Sequence, residues 1–554
     1  MSPQHPGPPI GMSSTTQTTI KWVTRVPFGS LPVHPSALHP VTIEQSFIIT
    51  WAISRSKKGM RLSLAHQGML FHIVIPSTTV LGKALFESVQ DCWFEKARKA
   101  QLGLRDWSGR PRVGVSFFLK ELQAAAPVED ALLSKVEVAL EDLLVQATQG
   151  SKPFSSGQQL WLEAIWSQPD NPDSALRLEV VGDVFRDLIP NRLHSLTDTD
   201  WATVPRIDLS SVKGYFLQQG YYKDDILPVY VSIDGEVRQA MLKTRSFGPD
   251  VGSGPVALDR NAMFTMEIFR GELDLLCNLP PHPNVLGAPL ALVTVTVQEP
   301  EGNTNSDDPP RDSLKLVGWL HPFLRTVTEK RPFFSWTEEG VRHSIRHVLD
   351  LFRGLQHLFQ QGFVHPDIKA ANCLFDGRDS PDGVERLVVI DLQPRKKYEC
   401  DDGPHAPEVQ GHWDAAPGED GTVVYTYKDK AEYCGNKILT AWKSMPEALE
   451  RIIVYNAGVV ASRLIVFRLM FPWLPEGSEV SFTRLVVREP PQPGANAELD
   501  ASEALIPPQI REVIQRCVSY DPRDRPLMTE VIHVLEDVVA SQEVARKAAL
   551  SEHV

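Results

Sequence analysis

Between Gly362 and Phe375 the chain reads Gly-Phe-Val-His-Pro-Asp-Ile-Lys-Ala-Ala-Asn-Cys-Leu-Phe, and Arg386 to Gln393 follows as Arg-Leu-Val-Val-Ile-Asp-Leu-Gln. Asp367 is followed by Lys369 two positions on and by Asn372 five positions on, and Asp391 closes a short apolar run. This set suits phosphoryl transfer. That reaction needs a carboxylate to orient the attacking hydroxyl, a cation for the moving phosphoryl group, and oxygen ligands for the metal ions that neutralise phosphate. Each residue alone is commonplace on a loop; their order and spacing carry the inference.

Such groups need rigid supports. The stretch Thr337 to Gln361 reads as a long helix, with Thr337 as N-cap and Glu338 and Glu339 in its first turn, and it delivers the chain to the Asp367 loop. Upstream, Leu227 to Ile233, an Asp234-Gly235 pair, and Glu236 to Thr244 read as a β-hairpin whose second strand carries Ala240-Met241-Leu242-Lys243. Next, Ala262 to Leu279 reads as a helix with Ile268, Leu275, Leu276 and Leu279 on one face, and Glu272 falls on that same face. A carboxylate there requires a partner, because an unpaired buried charge is costly. Glu267 reads as a surface charge.

In this order the segments resemble a divergent eukaryotic-type protein kinase domain. His365-Pro366-Asp367 with Asn372 resembles the catalytic loop His-Arg-Asp-x-x-x-x-Asn, Asp391-Leu392-Gln393 the metal-binding Asp-Phe-Gly, and Ala240 to Lys243 the strand Val-Ala-Ile-Lys. Phe269 to Glu272, followed by His282-Pro283-Asn284-Val285, resembles the small-lobe helix and its exit. His405-Ala406-Pro407-Glu408 resembles the end of the activation segment, and Asp521 to Pro526 the closing Asp-Pro-x-x-Arg-Pro. Tyr455 to Val460 resembles the start of a large-lobe helix, and Trp319 to Pro322 the hinge that receives adenine.

The resemblance covers about 210 to 540 and implies an α+β, bilobal fold with a small β-rich lobe (206–320) and a large helical lobe (321–540). It implies that Asp367 and Lys369 act in catalysis, that Lys243 and Glu272 pair at the nucleotide, and that Asn372 and Asp391 hold magnesium. It also implies a buried ion pair of Glu408 with Arg525. Lys369 resembles the serine/threonine rather than the tyrosine type. ATP and Mg2+ are the cofactors so implied, and a protein Ser/Thr hydroxyl is the acceptor.

The sequence also departs from the family pattern. Between Gly214 and Val231 only Gly220 stands where several glycines would let backbone N–H groups approach phosphate. Met241 replaces a small residue that touches adenine, Pro366 replaces the arginine that receives an activation-loop phosphate, Gln393 replaces a glycine, and Ile453 stands where an aspartate braces the catalytic loop. The 410–450 insert, with Trp413, Tyr425, Tyr427, Tyr433 and Trp442, either covers the cleft or pads the large lobe.

Residues 1–18 lack the apolar content to fold, and 19–205 read as a mixed α+β accessory domain resembling no known family. Strands are expected at Ser46–Trp51, Met69–Ile75, Val113–Phe118 and Leu176–Val181, with helices at Ala84–Ala100 and Val128–Ala147. A tail is expected at 541–554.

Composition sets outer bounds. A chain of 554 residues exceeds one core. A net charge of -13, from 56 Lys plus Arg against 69 Asp plus Glu, argues against broad binding to nucleic acid or anionic lipid. Six dispersed cysteines indicate neither a disulfide framework nor a zinc module, and they fit a reducing compartment. The polar start lacks a signal core, Ser2 excludes N-myristoylation, and Arg463 and Arg468 interrupt the apolar run Ala457–Leu474, which reads as a buried helix. An intracellular protein follows, cytoplasmic or nuclear, without nucleic-acid or membrane partners and with a partner surface on its N-terminal domain. Two functional classes stay open, an active serine/threonine kinase and a pseudokinase that works as a scaffold; a third, a small-molecule phosphotransferase on a related fold, is disfavoured by the Ala406-Pro407-Glu408 and Asp521 to Pro526 signatures.

Overall fold

The structure is a computed structural model, and it describes residues 21–22, 45–53, 59–66, 69–76, 78–79, 126–149, 154–155, 157–171, 174–190, 193–215, 226–244, 262–298, 312–326, 337–376, 385–394, 406–429, 438–465 and 504–552. The expected disorder of 1–18, helix at 84–100, strand at 113–118, Gly220 and Tyr433 lie outside these residues.

Six strands make the first sheet, in the order β1 (Lys21–Trp22), β2 (Gln45–Ile53), β3 (Gly59–His66), β4 (Met69–Pro76), β5 (Gln159–Trp166) and β6 (Leu176–Asp183). Strands β4 and β5 run parallel, and helix α1 (Ala126–Gln149) lies in the long connection that a parallel pair demands. Val136, Ala139 and Leu140 of α1 share an apolar core with Phe71, Ile73 and Leu162.

The second sheet takes β7 (His194–Ser195), β8 (Arg206–Asp208), β9 (Val212–Tyr215), β10 (Ile226–Ile233), β11 (Glu236–Thr244), β12 (Ala291–Gln298) and β13 (Asp312–Pro322). Its order is β8-β12-β13-β11-β10-β9, with β7 paired to β13. The β10–β11 hairpin turns at Asp234 and Gly235, with φ of 52° and 81°. Two successive left-handed residues close such a hairpin with the twist of its strands, and Asp-Gly tolerates them best. The expected division at 205/206 falls inside this sheet, between β7 and β8. Leu70, Trp161, Phe185 and Leu193 are buried in one cluster with Val229, Val231, Leu242, Val293 and Leu320, so the two sheets share a core. A polar tie runs beside it: the Tyr215 hydroxyl donates to the Gly157 carbonyl at 2.9 Å and accepts from Gln159 at 3.4 Å.

Helix α2 (Ala262–Asn278) forms as expected, but its buried face is Phe269, Glu272, Leu273 and Leu276, and Ile268 and Leu275 are only partly covered. The helix carries apolar residues over a wide arc, so periodicity placed the stripe about one position off. Helix α3 (Glu338–Gln360) starts where Thr337 Oγ1 accepts from the Gly340 N–H at 3.1 Å. Strand β14 (Arg325–Thr326), before this helix, joins β15 (Cys373–Asp376) and β16 (Arg386–Val389), after it, in a small sheet.

A hairpin of β17 (Trp413–Pro417) and β18 (Val423–Tyr427) follows, then helices α4 (Ile438–Ala441), α5 (Pro446–Leu464), α6 (Pro508–Cys517) and α7 (Met528–Glu552). Helix α5 begins at Pro446, a residue whose missing N–H costs nothing in a first turn. Tyr455, expected at a helix start, therefore lies in mid-helix. The described part of the apolar run from Ala457 is buried helix. Trp413, Tyr425 and Trp442 are buried in the main core with Tyr455 and Ile453, so this part of the 410–450 insert pads the helical region. Helix α7 runs through most of the expected tail. Among the described residues no helix is long and apolar enough to cross a membrane.

Candidate active site

The site grows from the middle of β11. Alternation along that strand puts Met241 and Lys243 on one face. The Lys243 ammonium lies 2.7 Å from both carboxylate oxygens of Glu272 and 3.1 Å from Asp391 Oδ1. Lys243 and Glu272 are 6% and 1% exposed, so water screens this pair little. Burial raises the Glu272 carboxyl above its ordinary range, and the Lys243 cation offsets only part of that rise. Glu267 points to solvent, as read from the sequence.

Asp391 reaches Lys243 from the end of β16. Its φ of 61° is left-handed, a conformation that a carboxylate residue tolerates better than most. The exit of α2 holds this strand: Asn284 Nδ2 donates to the Leu387 carbonyl at 3.0 Å, and the Val389 N–H donates to the Asn284 carbonyl at 2.9 Å. The β15–β16 register sets Cys373 opposite Val389, and the Ile390 N–H donates to the Asn372 carbonyl at 2.9 Å, which brings Asn372 and Asp391 to the same end of the hairpin.

The loop before β15 is organised by His365. Its Nε2 meets the Ile390 carbonyl at 2.9 Å, and its Nδ1 accepts from the Asp367 N–H at 3.2 Å, so the imidazole hydrogen sits on Nε2. Asp367 is 1% exposed, and Lys369 Nζ lies 2.7 Å from its Oδ2. Asn372 Nδ2 donates to the Asp367 carbonyl at 2.8 Å, which leaves the Asn372 carboxamide oxygen as the donor it can offer a metal. With the carboxylate of Asp391 this makes a hard two-oxygen set, and magnesium is held by such sets with water and phosphate oxygens completing its shell. Among the described residues no group of three or more His, Cys, Asp or Glu is arranged to hold a metal.

Two side chains of the segment that resembles the hinge, Trp319 and His321, stand behind Lys243, a role that the sequence did not assign to them. Strand register sets Trp319 opposite Lys243 and His321 opposite Met241. The Trp319 indole N–H donates to His321 Nε2 at 2.6 Å, and the ring lies 5.9 Å under the Lys243 ammonium and 4.3 Å from Phe269 of α2. Burial first, and then Lys243, lower the His321 pKa to about 3, so this imidazole is neutral. The period of two that pairs 241 with 243 would have located both, once the partner strand was known.

The six expected site residues thus fall into two hydrogen-bonded groups, Lys243 with Glu272 and Asp391, and Asp367 with Lys369 and Asn372, joined through the β15–β16 hairpin. Farther off, Glu408 and Arg525 form a bidentate pair at 2.6 and 2.9 Å with both side chains fully buried. Such geometry recovers much of the desolvation cost of burial.

No family model matches this chain. Over part of its length it is similar to three curated proteins. It is 25% identical to the receptor-like kinase TMK2 of Arabidopsis thaliana over 42% of this chain and 25% of that one. It is 25% identical to the eIF-2-alpha kinase GCN2 of Arabidopsis thaliana over 38% of this chain and 14% of that one. It is 24% identical to the mitochondrial serine/threonine-protein kinase PINK1 of Homo sapiens over 46% of this chain and 41% of that one. The chain therefore spans less than half the length of each of these relatives. The mixed α+β architecture is compatible with a kinase-like fold, and the distant relatives of this chain are protein kinases.

Proposed function

We propose that this chain is a divergent serine/threonine protein kinase, built from the second sheet as small lobe and the helical region as large lobe, that transfers the γ-phosphoryl group of ATP to a protein hydroxyl. The observation that carries the reading is the buried Lys243 cation held between Glu272 and Asp391, with Asp367, Lys369 and Asn372 fixed at the same end of one hairpin. Lys243 binds the α and β phosphates, and Glu272 keeps it aimed. Asp367 orients the acceptor hydroxyl and takes up its proton, while Lys369 stands beside it to neutralise charge on the moving phosphoryl group. Asn372 and Asp391 would hold magnesium, which would supply charge neutralisation on the phosphate oxygens.

A second reading, a nucleotide-binding scaffold without transfer, is favoured by one observation: Met241 and His321, register partners on neighbouring strands, are both buried, and bulk there would crowd a base. One experiment separates the two. The full chain is incubated with labelled ATP, magnesium and a generic Ser/Thr substrate, beside Asp367→Asn and Asp391→Asn. Transfer by the wild type that both variants lose supports the kinase; equal transfer by all three removes the assignment of this site. A magnesium-ATP thermal shift with no transfer to any substrate favours the scaffold.

A further inference from the structure

Trp201 is left-handed, with φ of 45°, a conformation that among the described non-glycine residues only Asp234 and Asp391 share. Aspartate tolerates it, whereas a bulky aromatic residue adopts it only where its surroundings impose it. Those surroundings are the short segment that leaves β7 and enters β8. The Leu196 N–H donates to the Leu314 carbonyl at 2.8 Å as β7 ends. The Thr197 N–H and hydroxyl both donate to Asp200 Oδ2, at 2.7 and 2.8 Å, and Arg206 Nη2 donates to the carbonyls of Thr197 and Asp200 at 2.6 and 2.8 Å. The Val204 N–H closes the turn on the Trp201 carbonyl at 2.9 Å. This turn presents the Trp201 side chain to α2. The indole N–H donates to Asp274 Oδ1 at 2.7 Å, and the Arg270 guanidinium lies 6.0 Å from the ring centroid. Val204, 5% exposed, belongs to the apolar core that holds Phe269, Leu273 and Leu276, and Leu196 and Trp201 pack against that core. Strand pairing fixes both ends of the segment, β7 on β13 and β8 on β12.

From this geometry we propose that residues 196–204 are a strap that ties α2 to the second sheet, with Trp201 as its anchor and positioning residue, and so keeps Glu272 against Lys243. Packing alone specifies the rotation of α2 weakly, because its apolar residues cover a wide arc. A directional hydrogen bond from outside the helix removes that freedom. Arg270 and Asp274 are exposed and stand two residues before and two residues after Glu272. Helical geometry sets Asp274 about 200° around the axis from Glu272, so a tie on Asp274 turns Glu272 toward the opposite, sheet-facing side. The left-handed backbone of Trp201 aims the indole, and the hydrogen bonds of Asp200 and Arg206 hold the turn that imposes it.

The effect of the strap on catalysis rests on the kinase reading, whereas the strap itself does not, and two measurements on the full chain keep them apart. Hydrogen exchange by mass spectrometry compares the amides of α2, 262–278, with those of α3, 338–360, and steady-state phosphoryl transfer gives kcat and KM for ATP. The variants are Trp201→Gly and Asp274→Ala. A glycine adopts a φ of 45° freely, and an alanine is the better helix former at an exposed site, so strain relief and helix propensity both predict α2 exchange that slows or stays the same. The strap predicts the opposite. Exchange in α2 is expected to rise by about threefold in Asp274→Ala, which loses one exposed hydrogen bond, and by about tenfold in Trp201→Gly, which loses the ring as well, with α3 unchanged. For both variants kcat/KM for ATP is expected to fall alongside, chiefly through a raised KM. Unchanged or slower α2 exchange in either variant overturns the strap, and so does equal acceleration in α3, which marks a loss of global stability. Looser α2 with kcat/KM unchanged overturns the positioning role of Trp201. A wild type that transfers no phosphoryl group while both variants loosen α2 keeps the strap and removes only the kinase reading.

Discussion

The Lys243 ammonium is 2.7 Å from both oxygens of the Glu272 carboxylate, inside a site that leaves neither residue more than 6% exposed. Removing the cation strands a buried carboxylate that also faces Asp391. Lys243→Met is expected to cost about 3–5 kcal/mol of stability in urea unfolding, the range for breaking a buried pair from one side. It should also abolish the thermal shift given by magnesium-ATP. Glu272→Gln keeps an acceptor for Lys243 and is expected to cost less on both counts.

Asp367 is positioned by its own backbone contacts to His365 and Asn372, which do not depend on its charge. Asp367→Asn should therefore bind magnesium-ATP like the wild type while phosphoryl transfer falls by about 100-fold or more, the scale of a lost general base. Calorimetric titration beside the transfer assay measures both. Weaker nucleotide binding by Asp367→Asn would place this residue in the binding step instead.

Arg525 and Glu408 pin the end of one segment to the closing loop of the helical region. Arg525→Ala leaves the Glu408 charge buried and is expected to cost about 3–5 kcal/mol. The double variant Glu408→Leu with Arg525→Met is expected to recover part of that loss, because the uncompensated charge goes with its partner. It does not recover all, since Arg525 also donates to the Ser519 carbonyl at 2.8 Å. Urea midpoints of the three proteins test the ordering.

Asp350 accepts a hydrogen bond from the Leu387 N–H at 3.0 Å, and burial raises its carboxyl to about 6 from an ordinary 3.8. A raised folded-state value means that the folded protein binds the proton more tightly than the unfolded chain. The stabilisation from this proton is full below about pH 4 and is lost as pH rises through about 6. Asp350→Asn should thus melt higher than wild type at pH 7.5, by on the order of 2 kcal/mol, and the gap should close on acidification toward pH 4. A gap that does not change with pH would assign the effect to packing.

Several of these features were legible in the sequence because each is set by a local rule. The Asp234-Gly235 turn is the turn that its pair of residues favours, Thr337 caps the helix that it precedes, and a glutamate on an apolar face had to find a cation. The face of α2 was less legible. Its apolar residues cover so much of the helix that no stripe stands out, and only Trp319 and the core behind it select Phe269 and Leu273. Strands β7 and β8 have two and three residues, too few for any period, and they form only because β13 and β12 offer edges to pair with.

The core shared by the two sheets bears on how this protein can be handled. A fragment started at 206 keeps Val229, Val231, Leu242, Val293 and Leu320 but loses Leu70, Trp161, Phe185 and Leu193, which bury them from the other side. Such an excised piece would carry an open apolar sheet face and is expected to aggregate on expression. The N-terminal region thus acts as a built-in partner of the second sheet, one that travels with it through synthesis and unfolding.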